Sequence, residues 1–166
     1  EVGMSHLGMK ILYGVLNRMD GVWCERVFAP WVDMEAQLRD HHLPLYALES
    51  GDPLSEFDII GFTLQYELSY SNVLNMLDLA GITLLAAERK GLEHLVVAGG
   101  PCACNPEPLA DFVDLFFIGE GEEVDCELVR LYREHKQKGS SKEAFLREAA
   151  QIPGVYVPSL YKVSYG

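Results

Sequence analysis

Three short apolar runs, separated by stretches with helical spacing, constrain the fold of this chain more than any other feature. The runs cover residues 58–64, 95–98 and 115–118, and the last is followed by a long predicted helix over 122–138. A continuous apolar run of this length is typical of a strand buried on both faces, and we expect 58–64 to be a central strand. Strands that alternate with helices predict an α/β fold with a doubly wound, mostly parallel, Rossmann-like (flavodoxin-like) sheet.

Hydrophobic spacing and capping residues predict the remaining elements. Ser140 with Glu143 forms a capping box for a last helix that ends near Gln151. Gly81 suits a left-handed position just behind a helix. Helices are further predicted over 5–19, 33–41, 71–80 and 84–90, and strands over 22–28, 45–48 and in two short pieces within 155–165.

A doubly wound sheet normally starts with a strand before its first helix, and no strand pattern precedes residue 5. We therefore expect the first strand to be missing from this stretch, which is predicted to be cut out of a longer polypeptide. Residues 1–152 are predicted to form the α/β domain, and 153–166 an extended segment that leads toward a further domain. A sheet without its first strand has an unpaired edge, through which we predict a dimer.

Charge and composition exclude several classes of function. Among the 166 residues, 25 Asp and Glu outnumber 13 Lys and Arg, and the net charge is -12. This balance disfavours binding to a nucleic-acid backbone, which depends on Lys and Arg. No apolar run is long enough to span a bilayer and no signal peptide is visible, so we expect a cytoplasmic protein without a membrane partner. Four cysteines do not form a disulfide framework in a chain of this size.

The loops behind the predicted strands are the candidate binding site, because ligands of doubly wound sheets lie beyond the carboxyl ends of the strands. The pair Gly99-Gly100 either lets a flat ligand approach the backbone or forms an ordinary tight turn. The loop 119–122 starts like a dinucleotide fingerprint but lacks its third glycine. Its two glutamates would repel a pyrophosphate at the helix N-terminus.

No catalytic set emerges from the motifs. Cys102 and Cys104 are separated by one residue, too few for the usual zinc or redox spacing. His6 starts the first helix, where it either binds a ligand or metal or caps the helix. No Ser-His-Asp order, HExxH or Walker loop is present. The residues alone predict a binding domain that is not catalytic by itself.

The order and spacing of four motifs, over 58–65, 96–101, 105–110 and 114–122, resemble the N-terminal cobalamin-binding-like domain of radical SAM proteins. The segments 1–8 and 24–31 are similar to an uncharacterised bacterial subgroup of that family. In the family, a barrel with a CxxxCxxC motif follows and binds a [4Fe-4S] cluster and S-adenosylmethionine. That motif is absent from this sequence, so the resemblance implies an oxidoreductase-type radical SAM parent enzyme whose chemistry occurs elsewhere in the chain.

The resemblance implies an accessory cobalamin-binding-like domain whose partner is the barrel of the same parent chain. The DxHxxG signature of histidine-ligated cobalamin proteins is missing, because no Asp precedes His6 by two residues. No catalytic residue and no metal ligand is implied. The implied cofactor-binding residues are Ser5, His6, Gly61, Thr63, Leu64, Gln65, Gly99, Gly100, Pro101, Gly119, Glu120, Gly121 and Glu122.

Two alternatives stay open. The same fold serves as a cofactor-free scaffold or substrate-recognition domain of the same enzyme, or the chain is a free-standing flavodoxin-like nucleotide-binding protein. The acidic loop 119–122 counts against the second alternative.

Overall fold

The computed structural model describes residues 6–162, which contain five α-helices and four β-strands. Several short 3₁₀ turns connect them. The helices are α1 (Leu7–Leu16), α2 (Val32–Asp40), α3 (Tyr70–Leu79), α4 (Gly121–Lys138) and α5 (Lys142–Ala149). The strands are β1 (Ile59–Thr63), β2 (Leu95–Gly99), β3 (Leu115–Phe117) and β4 (Val155–Tyr156).

The four strands form one open sheet in the order β1-β2-β3-β4. The first three strands are parallel, with Ile59 opposite Leu95 and Thr63 opposite Gly99. Strand β4 is antiparallel to β3 and places Tyr156 opposite Phe116. The mostly parallel, Rossmann-like α/β fold predicted from the sequence is confirmed.

Side chains alternate between two hydrophobic clusters on opposite faces of the sheet. Ile60, Val96 and Phe116 belong to one cluster, together with residues of α3 such as Leu77. The other cluster contains Leu95, Val97 and Leu115 with Leu128 and Tyr132 of α4 and Phe145 of α5. Because β2 and β3 are covered on both faces, they read as continuous apolar runs in the sequence.

Strand β1 forms where it was predicted, but its predicted central position is wrong for the described sheet. It pairs only with β2 and is therefore the outer strand. Gly61 and Thr63 are exposed, whereas Ile60 is buried. An apolar run predicts a strand, but a central position also requires a neighbouring strand at its second edge, and the described residues supply none.

The predicted helices over 5–19, 33–41, 71–80 and 122–138 correspond to α1–α4, and Gly81 has the expected left-handed φ of +68°. The cap of α5 is Ser141 and not Ser140: the Ser141 hydroxyl accepts a hydrogen bond from the N–H of Ala144 at 3.2 Å. Ser140 still belongs to the end of α4, because its N–H donates to the carbonyl of His135 at 3.0 Å behind the left-handed Gly139.

Three predicted elements do not form. Residues 22–28 lie in no strand, and of residues 45–48 only Tyr46 forms an isolated bridge, to Pro53. Residues 84–90 form turns instead of a helix. There the buried guanidinium of Arg89 donates to the carbonyls of Thr83 and Leu84, which a helix would need for its own ladder.

In the tail, β4 is followed by a 3₁₀ turn at Pro158–Leu160, and most of the predicted second piece lies outside the described residues. Across residues 6–162, none of the helices is long and apolar enough to cross a membrane.

Candidate functional site

The carboxyl ends of the three parallel strands bring three loops to one edge of the sheet. We call this surface the carboxyl edge and define it by residues 63–65, 99–102 and 118–122. The first two loops are joined directly: the N–H of Leu64 donates to the carbonyl of Gly99 at 2.7 Å, and the N–H of Cys102 donates to the carbonyl of Leu64 at 3.0 Å. The structure thus assembles the predicted loops into one surface.

Gly100 is required by the packing of its own turn. Its φ is +99°, and a Cβ built on it would lie 2.9 Å from the carbonyl oxygen and 3.0 Å from the nitrogen of Leu64. The tight-turn interpretation therefore holds for Gly100. A Cβ would fit at Gly99, because its nearest neighbour would be Phe117 Cβ at 3.5 Å, an ordinary contact distance. Pro101, which follows, is exposed and opens a short 3₁₀ turn.

The first loop presents two polar side chains. Leu64 is buried in the core and cannot contact a ligand with its side chain. Thr63 and Gln65 are exposed, and the Gln65 amide nitrogen donates to the Thr63 hydroxyl at 2.6 Å. Gly61 lies in the middle of β1 and not in the loop.

The third loop is open and acidic. Gly119 has a φ of +124°, and no atom lies within 4 Å of the position that a Cβ would occupy. Glu120 stands at the N-cap of α4 without a side-chain hydrogen bond to the helix. Glu122 and Glu123 occupy the first turn of α4, where they are favoured by the helix dipole.

Asp125, which the sequence reasoning missed, is the most perturbed carboxyl group beside this loop. Burial, with a smaller contribution from nearby Glu122, raises the pKa of Asp125 from 3.8 to about 7. A Cβ on Gly121 would lie 3.3 Å from its Oδ2. This carboxyl group titrates near neutral pH and can both donate and accept a hydrogen bond. Its position one helical turn behind Gly121 was the only signal in the sequence.

His6 caps α1: its Nδ1 accepts a hydrogen bond from the N–H of Met9 at 3.1 Å. The capping interpretation of this residue is thus realised, and only Nε2 remains for a ligand. Helix α1 lies near the third loop, since Leu12 Cδ2 is 3.5 Å from the Cβ position of Gly121. Ser5 lies outside the described residues.

Exposed apolar side chains accompany the loops. Tyr66 and Leu68 follow β1, and the side chain of Leu68 is 87% exposed. Ile118 directly follows β3 and is 42% exposed. Tyr66 lies in a loop that the sequence already offered as a possible pocket lining, whereas Leu68 and Ile118 were not predicted, although apolar residues behind a strand end were the available signal. Over residues 6–162, no group of three or more His, Cys, Asp or Glu side chains is placed to hold a metal ion.

A family model for the N-terminal region of radical SAM proteins matches residues 8–158. The chain belongs to this family. An uncharacterized protein of Methanocaldococcus jannaschii is 36% identical to it over 106 residues. That alignment covers 63% of this chain and 22% of the relative, so the chain spans less than a quarter of the length of the protein it matches. No solved structure matches the chain.

Proposed function

We propose that this chain is the accessory domain of a cytoplasmic radical SAM enzyme and that it binds cobalamin at the carboxyl edge. The observation that carries the proposal is the convergence of the three loops on one exposed surface of a doubly wound sheet, the place where such folds bind ligands. Membership of the radical SAM N-terminal family supports the part of the proposal that assigns this domain to a radical SAM enzyme.

The residues of this surface fit a large, flat cofactor that has an apolar ring and amide side groups. Thr63 and Gln65 supply exposed hydrogen-bonding side chains. Gly119 leaves its backbone open, and Ile118 supplies apolar contact area together with Tyr66, which directly follows the first loop of this surface. The DxHxxG signature of histidine-ligated cobalamin proteins is missing around His6, so we propose a corrin held without a histidine ligand.

Bound cobalamin would supply cobalt-centred group-transfer chemistry. The domain itself would hold the corrin toward the barrel of the parent chain, and the [4Fe-4S] cluster and S-adenosylmethionine would bind in that barrel. None of the residues at the carboxyl edge is proposed to be catalytic. Their role is to bind and orient the cofactor.

Titration with hydroxocobalamin, followed by absorbance and calorimetry, tests this proposal. We expect a saturable one-to-one spectral change that Thr63→Trp weakens at least about tenfold, because an indole at the carboxyl edge would occupy the space of the corrin. Thr83→Trp is the matched control, since Thr83 is an exposed threonine that follows α3 at the opposite end of the sheet. Equal binding by both variants would place the cofactor elsewhere.

A second candidate function is a cofactor-free scaffold or substrate-recognition domain of the same enzyme. The tight packing of Gly100 against Leu64 favours it, because the glycine is explained by the fold without any ligand. A folded domain that causes no spectral change with hydroxocobalamin would support this candidate and refute the first.

A further inference from the structure

Strand β1 has one side without hydrogen bonds. It bonds to β2 through alternate residues, from the Leu95 N–H that donates to the Asp58 carbonyl at 2.9 Å to the Leu64 N–H that donates to the Gly99 carbonyl at 2.7 Å. The intervening residues point their N–H and C=O groups away from β2. Within the described part of the chain, no hydrogen bond reaches these outward backbone groups, which belong to Ile59, Gly61 and Thr63.

The segment 22–28 shows the same alternation. The backbone of Cys24 bonds to the side chain of Asn17 at 2.9 and 3.0 Å. Arg26 donates its N–H to the Glu49 carboxylate at 2.8 Å, and its carbonyl accepts from the N–H of Leu48 at 2.9 Å. The alternate residues are Trp23, Glu25 and Val27. Their backbone groups form no hydrogen bond to the backbone of any described residue.

These two rows of free backbone groups border the same hydrophobic core. Val27 packs against the cluster that contains Ile60 of β1, yet no backbone hydrogen bond joins the two segments. Helix α1 is also incompletely covered: it contains no buried residue, and its apolar Leu7 and Ile11 are exposed. A single strand between the two segments would pair with both rows and lie beneath α1.

The direction of that strand follows from the position of α1. Leu12 lies beside Gly121, and the carbonyl of Asp20 accepts a hydrogen bond from Arg133 at 2.6 Å. Helix α1 therefore runs in the same direction as α4, away from the carboxyl edge. A strand that leads directly into α1 must end at the carboxyl edge, and so it runs parallel to β1.

We propose that the space between β1 and residues 22–28 is a docking site for one extended strand, supplied by the polypeptide that leads into α1 in the full-length protein. The strand is about five residues long, to match β1, and it is uncharged and rich in β-branched residues because both of its faces would be buried. A second copy of this chain is disfavoured, since each copy carries a net charge of -12. This inference is independent of cobalamin binding.

Amide hydrogen exchange at residue resolution, on the full-length protein and on this chain alone, tests the inference. In the full-length protein we expect the amides of Gly61, Thr63, Glu25 and Val27 to exchange at least about 100-fold more slowly than in this chain. The amide of Val97, in β2, should be protected in both. Equal, fast exchange of the first four amides in both proteins would overturn the inference. Protection that rises with protein concentration, together with a dimer mass by light scattering, would also overturn it in favour of a second copy.

Gly61→Pro gives a second, more specific test in the full-length protein. Proline replaces the outward N–H at this position by its ring, while the bonds between β1 and β2 are made by the alternate residues of β1 and stay in place. We expect it to restore fast exchange at Glu25 and Val27. Gly61→Ala is the matched control, because it keeps the N–H and its Cβ would lie 3.6 Å from Val97 Cγ2, an ordinary contact. Slow exchange at Glu25 and Val27 in both variants would contradict strand docking.

Discussion

At the scale of single residues, Gly100 shows how the fold accounts for a feature that resembles a binding motif. Two independent reasons require glycine at this position. Its φ is +99°, and the backbone atoms of Leu64 leave no room for a Cβ. Gly51 has a similar φ of +80° but open space around it. A substitution at Gly51 therefore meets only a cost of backbone conformation, whereas one at Gly100 adds the contact with Leu64 and a conformation (φ +99°, ψ 179°) that is open essentially to glycine alone.

We predict that Gly51→Ala lowers the free energy of unfolding by about 1–2 kcal/mol, the cost of a left-handed conformation in a non-glycine residue. Gly100→Ala should lower it by about 3 kcal/mol or more, because overpacking against the Leu64 backbone is added. Urea denaturation of the two variants and the unsubstituted protein measures both values. Equal losses would mean that the Leu64 backbone moves aside without cost.

At the scale of secondary-structure elements, a buried charge cluster ties α5 to the sheet. Asp114, just before β3, accepts hydrogen bonds from the N–H of Val96 at 2.8 Å and from Arg89 at 3.0 Å. The ammonium group of Lys142, at the start of α5, lies 2.6 Å from the other oxygen of Asp114. All three charged side chains are buried. Burial lowers the pKa of Lys142, and the carboxylate of Asp114 opposes that effect.

We predict that Asp114→Asn lowers the free energy of unfolding by about 3–5 kcal/mol, because two buried cations lose their counter-charge. Glu143→Gln is the control: it makes the same carboxylate-to-amide change in α5, but at an exposed ion pair with Arg147. That change should leave the urea midpoint essentially unaltered. A similar, small effect of both substitutions would show that the Asp114 cluster is not needed to attach α5.

The elements that were predicted correctly are those whose start and end signals lie in their own residues. Helix α4 has acidic residues in its first turn, basic residues in its last and the left-handed Gly139 behind it. Segments 22–28 and 84–90 were predicted wrongly because their state depends on tertiary contacts. Residues 22–28 have no strand to pair with among the described residues, and in 84–90 the guanidinium of Arg89 is held in the core by Asp114 and takes the Thr83 and Leu84 carbonyls. The meeting of the three loops followed from the parallel sheet. The burial of Leu64 and the raised pKa of Asp125 did not, since both require tertiary contacts.

At the scale of the whole molecule, net charge opposes the compact state. The chain has 25 acidic and 13 basic residues, and the excess of negative charge produces a net repulsion when folding brings these residues together. Exposed ion pairs such as Arg39 with Asp78 act in the opposite sense but are individually weak. Salt screens both effects, so the response of stability to salt shows which is larger.

We predict that raising NaCl from about 0.05 M to about 0.5 M increases the midpoint of thermal unfolding, because screening of the general repulsion outweighs the loss of the exposed ion pairs. Potassium chloride at the same ionic strength should give the same shift, as expected for screening without specific ion binding. A midpoint that falls with salt would show that local ion pairs, such as the one between Lys136 and Asp58 that links α4 to the start of β1, contribute more to stability than the net charge costs. The same repulsion acts between copies, so low salt should also oppose pairing of the open β1 edge with a second copy of this chain.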